Sequence, residues 1–368
     1  MSGIYSDGHE IIDQDYSPLG RCDSFSSRRD VLDALAELQR RFGEQPDLDQ
    51  MVRDNLSASE TYLRAVLGER MSLRQYVSAL YLYDPVPIPE KTLEATLAEV
   101  KELCSRFGLS YHPEDQPAYL ARFRVESAEE VAELARAGQD YWLERLYKHV
   151  EPPPDLKINI QIVREDEPWS FFLNASMGLA TFSINAHPRH IFTRGQCKYI
   201  ASHEIAGHAV QNSCWARAVT RGNLPAALLI HATHHPIAPL AEGMAQALPY
   251  FLCLSTELDH EMMLAKKLRE LRDMVLANAQ LMLETGGSVT AAWRYCARHL
   301  HFVEPFEVER DIANRALKPA ERAYQNCYAP SFLAFRRIAE QLDQDEVGGF
   351  LRSHYHRIPS VREFWRRA

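Results

Sequence analysis

Two histidines and a glutamate lie close together in the middle of the chain. Residues 203–208 read HEIAGH, so Glu204 directly follows His203, and His208 lies five positions after His203. Catalytic zinc sites on a helix take two histidines from one helical face, and the glutamate after the first histidine acts on a metal-bound water. The segment therefore predicts a site for one zinc ion, with His203 and His208 as ligands and Glu204 as the general base.

The spacing of these two histidines is one residue longer than in the usual H-E-x-x-H pattern. On a regular α-helix, at about 100° per residue, two positions five apart lie about 140° apart around the axis and cannot share one ion. A one-residue π-bulge would absorb the extra residue and bring both imidazoles to one side. Gly207 would let the backbone deform at modest cost. The sequence thus predicts a distorted helix at the metal site.

A third protein ligand is expected from residues 239–246, which read PLAEGMAQ. Glu242 lies 34 residues after His208 (242 minus 208), which leaves room for a connection and a second helix packed against the first. The apolar residues around Glu242 suit a buried carboxylate that has a metal as its partner. An open fourth position would hold a water whose pKa the metal lowers towards neutrality.

Other histidines compete for the ion. One group lies between the two motif segments and a second group precedes the first motif: His231, His234 and His235, then His187 and His190. A connection that happens to be rich in polar residues is the plainer interpretation of the first group. If Glu242 is not a ligand, His234 or His235 is the next candidate. Histidines of an ordinary helix, without any metal, are the alternative to the whole site.

Composition narrows the classes of partner. The chain has 41 Lys+Arg against 50 Asp+Glu, a formal charge of -9, which argues against a general affinity for nucleic acid. No signal-like leader and no apolar stretch of membrane-spanning length is present, so a cytoplasmic protein without membrane attachment is expected. The seven cysteines are scattered and never spaced C-x-x-C, which predicts buried thiols and neither disulfides nor a cysteine zinc site.

Hydrophobic periodicity divides the chain into three parts. Residues 1–26 are polar and lack a sustained period, so a flexible arm is expected there. Residues 27–150 carry helical patterns, for example from Val31 to Phe42 and from Leu93 to Phe107, and Ser127 followed by two glutamates looks like a capped helix start. The prolines at 152–154 end this helical region. Residues 151–368 form the predicted catalytic region, in one compact unit with the helices before it.

The period changes after the prolines. Lys157–Val163 alternates apolar and polar residues and predicts a strand, and residues 180–185 predict a second. A long helical pattern runs from Leu258 to Glu284 and stops at two glycines, and Ser288 is a plausible cap for the next helix. The fold class expected is mainly α: a helical body with a small antiparallel sheet beside the metal-binding helix.

These motifs resemble those of zinc peptidases of the gluzincin type. The segment HEIAGH is similar to the H-E-x-x-G-H motif of the class III dipeptidyl peptidases. The order of elements resembles more closely a bacterial family of mostly helical, predicted metallopeptidases, which carry H-E-x-x-P-G-H-x-x-Q followed by an E-G-x-A helix. The resemblance covers about the last 210 residues. This chain lacks the proline, and residues 322–328 only loosely match the tyrosine-containing helix of that family.

The resemblance implies roles for further residues. Glu204 would take a proton from the water that attacks a carbonyl and pass it to the leaving nitrogen. Tyr324 and Tyr328 are the candidate catalytic donors for the oxyanion. Three other side chains are candidates for the same role: Arg322, His354 and His356. The strand at 181–185 either binds an extended substrate by edge pairing or is purely structural.

The function expected is zinc-dependent hydrolysis of a peptide or amide bond in a small substrate. The alternative is a metal enzyme without proteolytic activity, a lyase or tailoring enzyme acting on a small metabolite, because neither fold nor metal determines the substrate. A third possibility is a protein that binds zinc without turnover. The intact Glu204 argues against it, since a structural zinc site needs no base. The sequence leaves the oligomeric state open.

Overall fold

Helices dominate the chain, as predicted. The computed structural model describes residues 14–15, 25–43, 50–167, 169–176, 178–253, 258–303 and 305–367. The predicted arm, residues 1–26, therefore lies outside the described residues except for 14–15 and 25–26. The α-helices are α1 (Arg28–Gly43), α2 (Gln50–Val66), α3 (Leu73–Tyr81), α4 (Glu90–Ser105), α5 (Gln116–Phe123), α6 (Ala128–Leu146), α7 (Arg194–Ala201), α8 (Val210–Thr220), α9 (Ala238–Leu252), α10 (His260–Glu284), α11 (Val289–His299), α12 (Pro305–Leu317), α13 (Pro319–Gln341), α14 (Gln344–His356) and α15 (Val361–Arg367).

Polar caps fix several helix starts. The hydroxyl oxygen of Ser127 accepts a hydrogen bond from the backbone N–H of Glu130 at 3.0 Å and begins α6, as predicted. Ser288 caps α11 in the same way. The long helix α10 begins at His260, two residues later than its apolar pattern predicts, because the Asp259 carboxylate accepts from the Met262 N–H and caps it there.

The small sheet beside the metal-binding helix is mixed, so the prediction of an antiparallel sheet was wrong. Its strands are β2 (Lys157–Val163), β3 (Phe171–Ser176) and β4 (Leu179–Asn185), in the order β2-β4-β3. β2 runs parallel to β4, whereas β3 and β4 form a hairpin. β3 was not predicted from the sequence. Because β3 lies between β2 and β4 in the chain and pairs antiparallel with β4, β2 and β4 run in the same direction and not in opposite directions as expected. A separate pair joins β1 (Gln14–Asp15) to β5 (Ile230–His231).

The position of β4 also excludes one predicted role. Because β4 is the central strand, its backbone pairs with β2 on one side and β3 on the other. Residues 181–185 therefore have no free edge for an extended substrate. Most of β4 is buried, which fits a structural strand.

Shared hydrophobic cores join the N-terminal helices to the metal-binding region. Trp142 and Leu146 of α6 pack in one cluster with Phe182 of β4 and Ile205 of the metal-binding segment. Residues of α4 and α5 share a second cluster with α10 and α11. α6 and α7 contact the histidine segment directly, and α10 packs against α7. The domain boundaries themselves stay a prediction.

The described residues show the state of the cysteines and the character of the helices. Five cysteines are buried free thiols, at positions 104, 197, 214, 296 and 327, and Cys253 is half-buried. Cys22 lies outside the described residues. Within the described ranges, no helix combines the length and apolar character needed to cross a lipid bilayer.

Candidate metal centre

His203 and His208 lie on a π-helical segment, as predicted from their spacing. The segment Ser202–Ala209 continues directly from α7 and passes into α8. The wider turn brings residues five apart onto one side of the helix, which a regular α-helix would not do. The backbone oxygen of Ala206, in the middle of this segment, accepts a hydrogen bond from the Tyr355 hydroxyl at 2.8 Å. α14 thus helps to stabilise the distorted turn.

Two glycines hold α9 close to its neighbours. A Cβ atom at Gly207 would lie 2.6 Å from the Cβ of Ala245 on α9. A Cβ atom at Gly243 would lie 2.5 Å from the Cβ of Ser331 on α13. The φ angle of Gly207 is not positive, so the backbone torsion does not require glycine there. Glycine is required because the two helices approach so closely at this position. The two contacts determine where α9 presents Glu242.

We expect Gly207→Ala to lower the free energy of unfolding and to weaken metal binding. The added methyl group cannot fit between the helices without moving α9, and overpacking costs about 1–3 kcal/mol, only partly offset by the roughly 1 kcal/mol helix preference of alanine. Urea unfolding and a zinc titration measure both effects. Gly349→Ala is the matched control, since a Cβ atom there has nothing within 4 Å. Equal stability of the Gly207→Ala protein and the wild type would contradict the inference that close packing at Gly207 fixes the position of α9.

Three ligand atoms converge between the π segment and α9. The Nε2 atoms of His203 and His208 lie 3.2 Å apart, and Oε2 of Glu242 lies 3.2 Å from the first and 3.5 Å from the second. A tetrahedral zinc with bonds of about 2.0–2.1 Å separates its ligand atoms by about 3.3–3.4 Å. The triangle therefore fits a zinc ion. Within the described residues, it is the one cluster of three or more histidine, cysteine, aspartate or glutamate side chains that could hold a metal.

The chemistry of the three ligands also suits a cation. Glu242 Oε2 is buried and has no hydrogen-bond partner among the described residues, although two imidazole nitrogens lie close to it. Its other oxygen, Oε1, accepts a hydrogen bond from the Tyr324 hydroxyl at 2.8 Å. A hydrogen-bonded second oxygen orients a carboxylate ligand towards the ion. The three side chains are 9–14% exposed, so the site is enclosed but reachable.

The ligands perturb one another's protonation. Burial lowers the pKa of His208, but the carboxylates of Glu242 and Glu204 outweigh burial and raise it above its usual value of 6.5. Burial raises the pKa of Glu242, but the two histidines outweigh burial and hold it well below its usual 4.5. In the metal-free protein, a proton on His208 therefore balances the Glu242 charge at any pH below this raised pKa. A metal ion would replace that proton.

Zinc affinity should fall on acidification from a pH above 6.5. His208 must be neutral to bind a metal, so each pH unit below its raised pKa costs about tenfold in affinity, and Glu242 does not compete in that range. The free energy of unfolding of the metal-free protein depends on pH in the opposite sense. Its contribution from His208 is present at low pH and is lost as the pH rises through the raised pKa of that histidine. Chelator competition between pH 5.5 and 8 measures the first effect. A flat affinity over that range would contradict the assignment of His208.

Glu204 lies on the π segment directly after the first ligand. Its carboxylate is half-buried and has no hydrogen-bond or ion-pair partner among the described residues. It is close enough to His208 to raise the pKa of that imidazole. An unpaired carboxylate at the edge of a metal site is free to accept a proton from water. The structure therefore places the predicted base beside the predicted ligands.

The two predicted tyrosines both lie at the site, on α13. Tyr324 bonds to Glu242, and the rings of Tyr324 and Tyr328 meet edge to face at 5.2 Å. Burial raises the pKa of both hydroxyls well above 10, and the nearby Glu242 charge raises it further, so both stay protonated donors. The bond from Tyr324 to Glu242, which the sequence analysis did not predict, gives that tyrosine a positioning role.

The other candidate donors have other partners or are exposed to solvent. The Arg322 guanidinium forms two hydrogen bonds with the Glu284 carboxylate. His354 packs against Phe335 and Phe350, and its Nδ1 contacts the backbone oxygen of Phe350. His356 is exposed. None of the three belongs to the metal group.

The competing histidines have other partners. The Nε2 atoms of His234 and His235 lie 3.2 Å and 3.3 Å from the Ser59 hydroxyl of α2. His190 contacts Ser170 and the backbone oxygen of Glu167, and His187 lies 3.9 Å from an Asp166 carboxylate oxygen. His231 contributes its backbone to β5. In the part of the chain that the structure describes, Glu242 is the third ligand that meets the two motif histidines.

Comparison with known proteins indicates the fold and no activity. No protein-family model matches the chain, and no curated protein matches it. The fold is similar to the crystal structure of a "putative lipoprotein" from Colwellia psychrerythraea, with a TM-score of 0.61 and 14% sequence identity. The match covers 83% of this chain and 53% of that one, so this chain spans about half the length of the protein it matches. At this identity the similarity shows a shared fold alone.

Proposed function

We propose that the protein is a zinc-dependent hydrolase that cleaves a peptide or amide bond in a small substrate. The observation that carries the proposal is the triangle of His203, His208 and Glu242 ligand atoms, with the unpaired Glu204 carboxylate beside it. A structural zinc site has four protein ligands, whereas three ligands with a neighbouring base are typical of catalytic zinc. The resemblance to gluzincin-type peptidases agrees with this arrangement.

The roles of the side chains follow from their positions. When bound, zinc would act as a Lewis acid on the carbonyl and lower the pKa of the attacking water. Glu204 accepts the proton that this water loses and delivers it to the leaving nitrogen. Tyr324 holds Glu242 in place through its hydroxyl. Tyr328, whose ring packs against that of Tyr324, keeps a protonated hydroxyl and is our candidate donor to the oxyanion.

A small substrate fits this site better than a folded protein. The ligands are largely enclosed by helices and only 9–14% exposed, so a short chain or small molecule reaches them more readily than a rigid loop. The negative net charge argues against nucleic acid as a partner. We also retain the cytoplasmic location expected from the sequence. A lyase or tailoring enzyme using the same ion is the second candidate, because the same ligands could activate a small metabolite.

A peptide library assayed with the zinc-loaded protein tests the proposal. We expect cleavage products that disappear after chelation and return when zinc is added back. A chelated sample restored with Mg²⁺ is the control, because Mg²⁺ prefers six oxygen ligands and does not suit two imidazoles. If zinc binds with one-to-one stoichiometry and no peptide or amide is cleaved, hydrolysis is wrong and the metabolite enzyme becomes the leading candidate.

A further inference from the structure

A polar cluster lies one helical turn away from the metal ligands. Gln246 follows Glu242 by four residues on α9, and its side-chain nitrogen donates to Oδ2 of Asp273 on α10 at 3.0 Å. The same carboxylate oxygen accepts from Nε of Arg269 at 2.8 Å. Gln325 of α13 donates to the backbone oxygen of Asp273. Three of the helices around the metal site thus contribute to one hydrogen-bonded group.

Arg269 is the charged member of this cluster that solvent can reach. Its side chain is 35% exposed, whereas that of Asp273 is 3% exposed. Burial nevertheless acts on the Arg269 pKa, and Asp273 outweighs burial and raises the pKa overall. Arg269 therefore keeps its positive charge at a position that solvent partly reaches.

Contacts connect this guanidinium to the metal ligands. Its central carbon lies 5.4 Å from the centre of the Tyr328 ring. Tyr328 packs on Tyr324, which donates to Glu242. These four side chains are all half-buried, although the residues next to them in the chain are mostly buried. These contacts therefore form a continuous row of partly exposed side chains from Glu242 to Arg269.

The guanidinium of Arg269 can bind an anion in addition to Asp273. Only Nε takes part in the bond to Asp273, and neither terminal nitrogen has a hydrogen-bond partner among the described residues. The terminal edge of a guanidinium matches the two oxygens of a carboxylate. Asp273 fixes the orientation of the fork, and Gln246 in turn fixes Asp273. This is a preorganised anion-binding group beside a candidate hydrolytic site.

We propose that Arg269 binds a carboxylate of the substrate, so that the substrates are short peptides or amides with an anionic group a few residues from the scissile bond. This inference rests on the proposed function and names its substrate class. The anion is either a peptide C-terminus or an acidic side chain, because both present the same two oxygens to the fork.

Three peptides with one cleaved sequence test the subsite: a free acid, its C-terminal amide, and an amide that ends in glutamate. The loss of a charge-assisted pair lowers kcat/KM by about 10- to 100-fold, so the wild type should prefer the free acid over the plain amide by that factor. Cleavage of the glutamate amide at the rate of the free acid would identify an acidic side chain as sufficient. Equal cleavage of all three peptides by the wild type would overturn the proposal.

Variants of the arginine attribute the preference to this residue. Arg269→Gln should abolish the preference, and Arg269→Lys, which keeps the charge without the fork, should retain part of it. Arg272→Gln is the matched control on the same helix, because Arg272 pairs with Asp311 outside the cluster. The lysine variant also keeps the test valid if the glutamine variant folds poorly. An unchanged preference in both Arg269 variants would overturn the assignment.

Ligand binding separates the subsite from the reaction. Calorimetry with N-acetyl-alanyl-alanine and its amide, on zinc-loaded Glu204→Gln protein, needs no turnover. Tighter binding of the acid that is lost in the Glu204→Gln, Arg269→Gln double variant supports the subsite even if no peptide is ever cleaved, and in that case the hydrolase proposal alone fails. Equal binding of acid and amide overturns the subsite.

Discussion

Replacing Glu204 by glutamine should reduce turnover by about 10²- to 10⁴-fold while zinc remains bound, because general-base catalysis contributes a factor of that size. Glutamine keeps the shape of the side chain but cannot accept a proton at neutral pH. Glu204 is not one of the three convergent ligands, so the metal stoichiometry should not change. Steady-state kinetics together with metal analysis of the same preparation measure both quantities.

The control for this variant is an exposed glutamate without a role at the site. Glu133 lies on the exposed side of α6, and Glu133→Gln should keep wild-type turnover and zinc content. A rate loss in Glu204→Gln that is accompanied by loss of zinc would show that Glu204 supports metal binding. Full activity in Glu204→Gln would remove it as the base, whatever the metal content.

The π-helical turn was predictable because its cause is local. Five-residue spacing between His203 and His208 is incompatible with a shared ion on a regular helix, so geometry alone demanded an extra residue in the turn. Glu242 was predictable for a similar reason, since a catalytic zinc needs a third ligand and an apolar helix contained one carboxylate. Helix starts at Ser127 and Ser288 followed from capping, which also depends on neighbouring residues only.

Features that depend on distant residues were not predictable in the same way. β3 reads FFLNAS without clear alternation, so the pattern gave no strand there, and the direction of the sheet followed from that omission. The hydrogen bond from Tyr324 to Glu242 joins residues 82 positions apart. The sequence suggested that Gly207 is needed for backbone flexibility, whereas in the structure a side chain at this position would collide with Ala245 on another helix. Each of these needs the packing of helices, which sequence periodicity does not specify.

Packing also explains why the site depends on a few small residues. Glu242 reaches the two histidines because Gly207 and Gly243 allow α9 to approach the π segment and α13. The same approach brings Tyr324 within hydrogen-bonding distance of Glu242. Ligand position and ligand orientation thus have a common structural origin. A disturbance of α9 should therefore weaken metal binding even when all three ligands are intact.

Loss of any one ligand should nearly abolish zinc binding at micromolar concentration. Structural zinc binding of about 10–16 kcal/mol, divided among three or four ligands, implies about 2.5–5 kcal/mol for each, which corresponds to a loss of affinity of roughly a hundredfold to a few thousandfold. His203→Ala and Glu242→Ala test one ligand from each side of the site. Zinc content after gel filtration, followed by competition with a chelator, gives the stoichiometry and the affinity.

Two further variants should retain more zinc affinity than the ligand variants do. Tyr324→Phe removes the hydroxyl that orients Glu242, and the loss of such a hydrogen bond costs about 10- to 100-fold in metal affinity, less than the loss of a ligand. His234→Ala should leave zinc content unchanged, because His234 contacts Ser59 and Tyr62 and not the ligand triangle. Retention of zinc in Glu242→Ala with its loss in His234→Ala would reverse the assignment of the third ligand, because only then would the histidine compete successfully with the carboxylate.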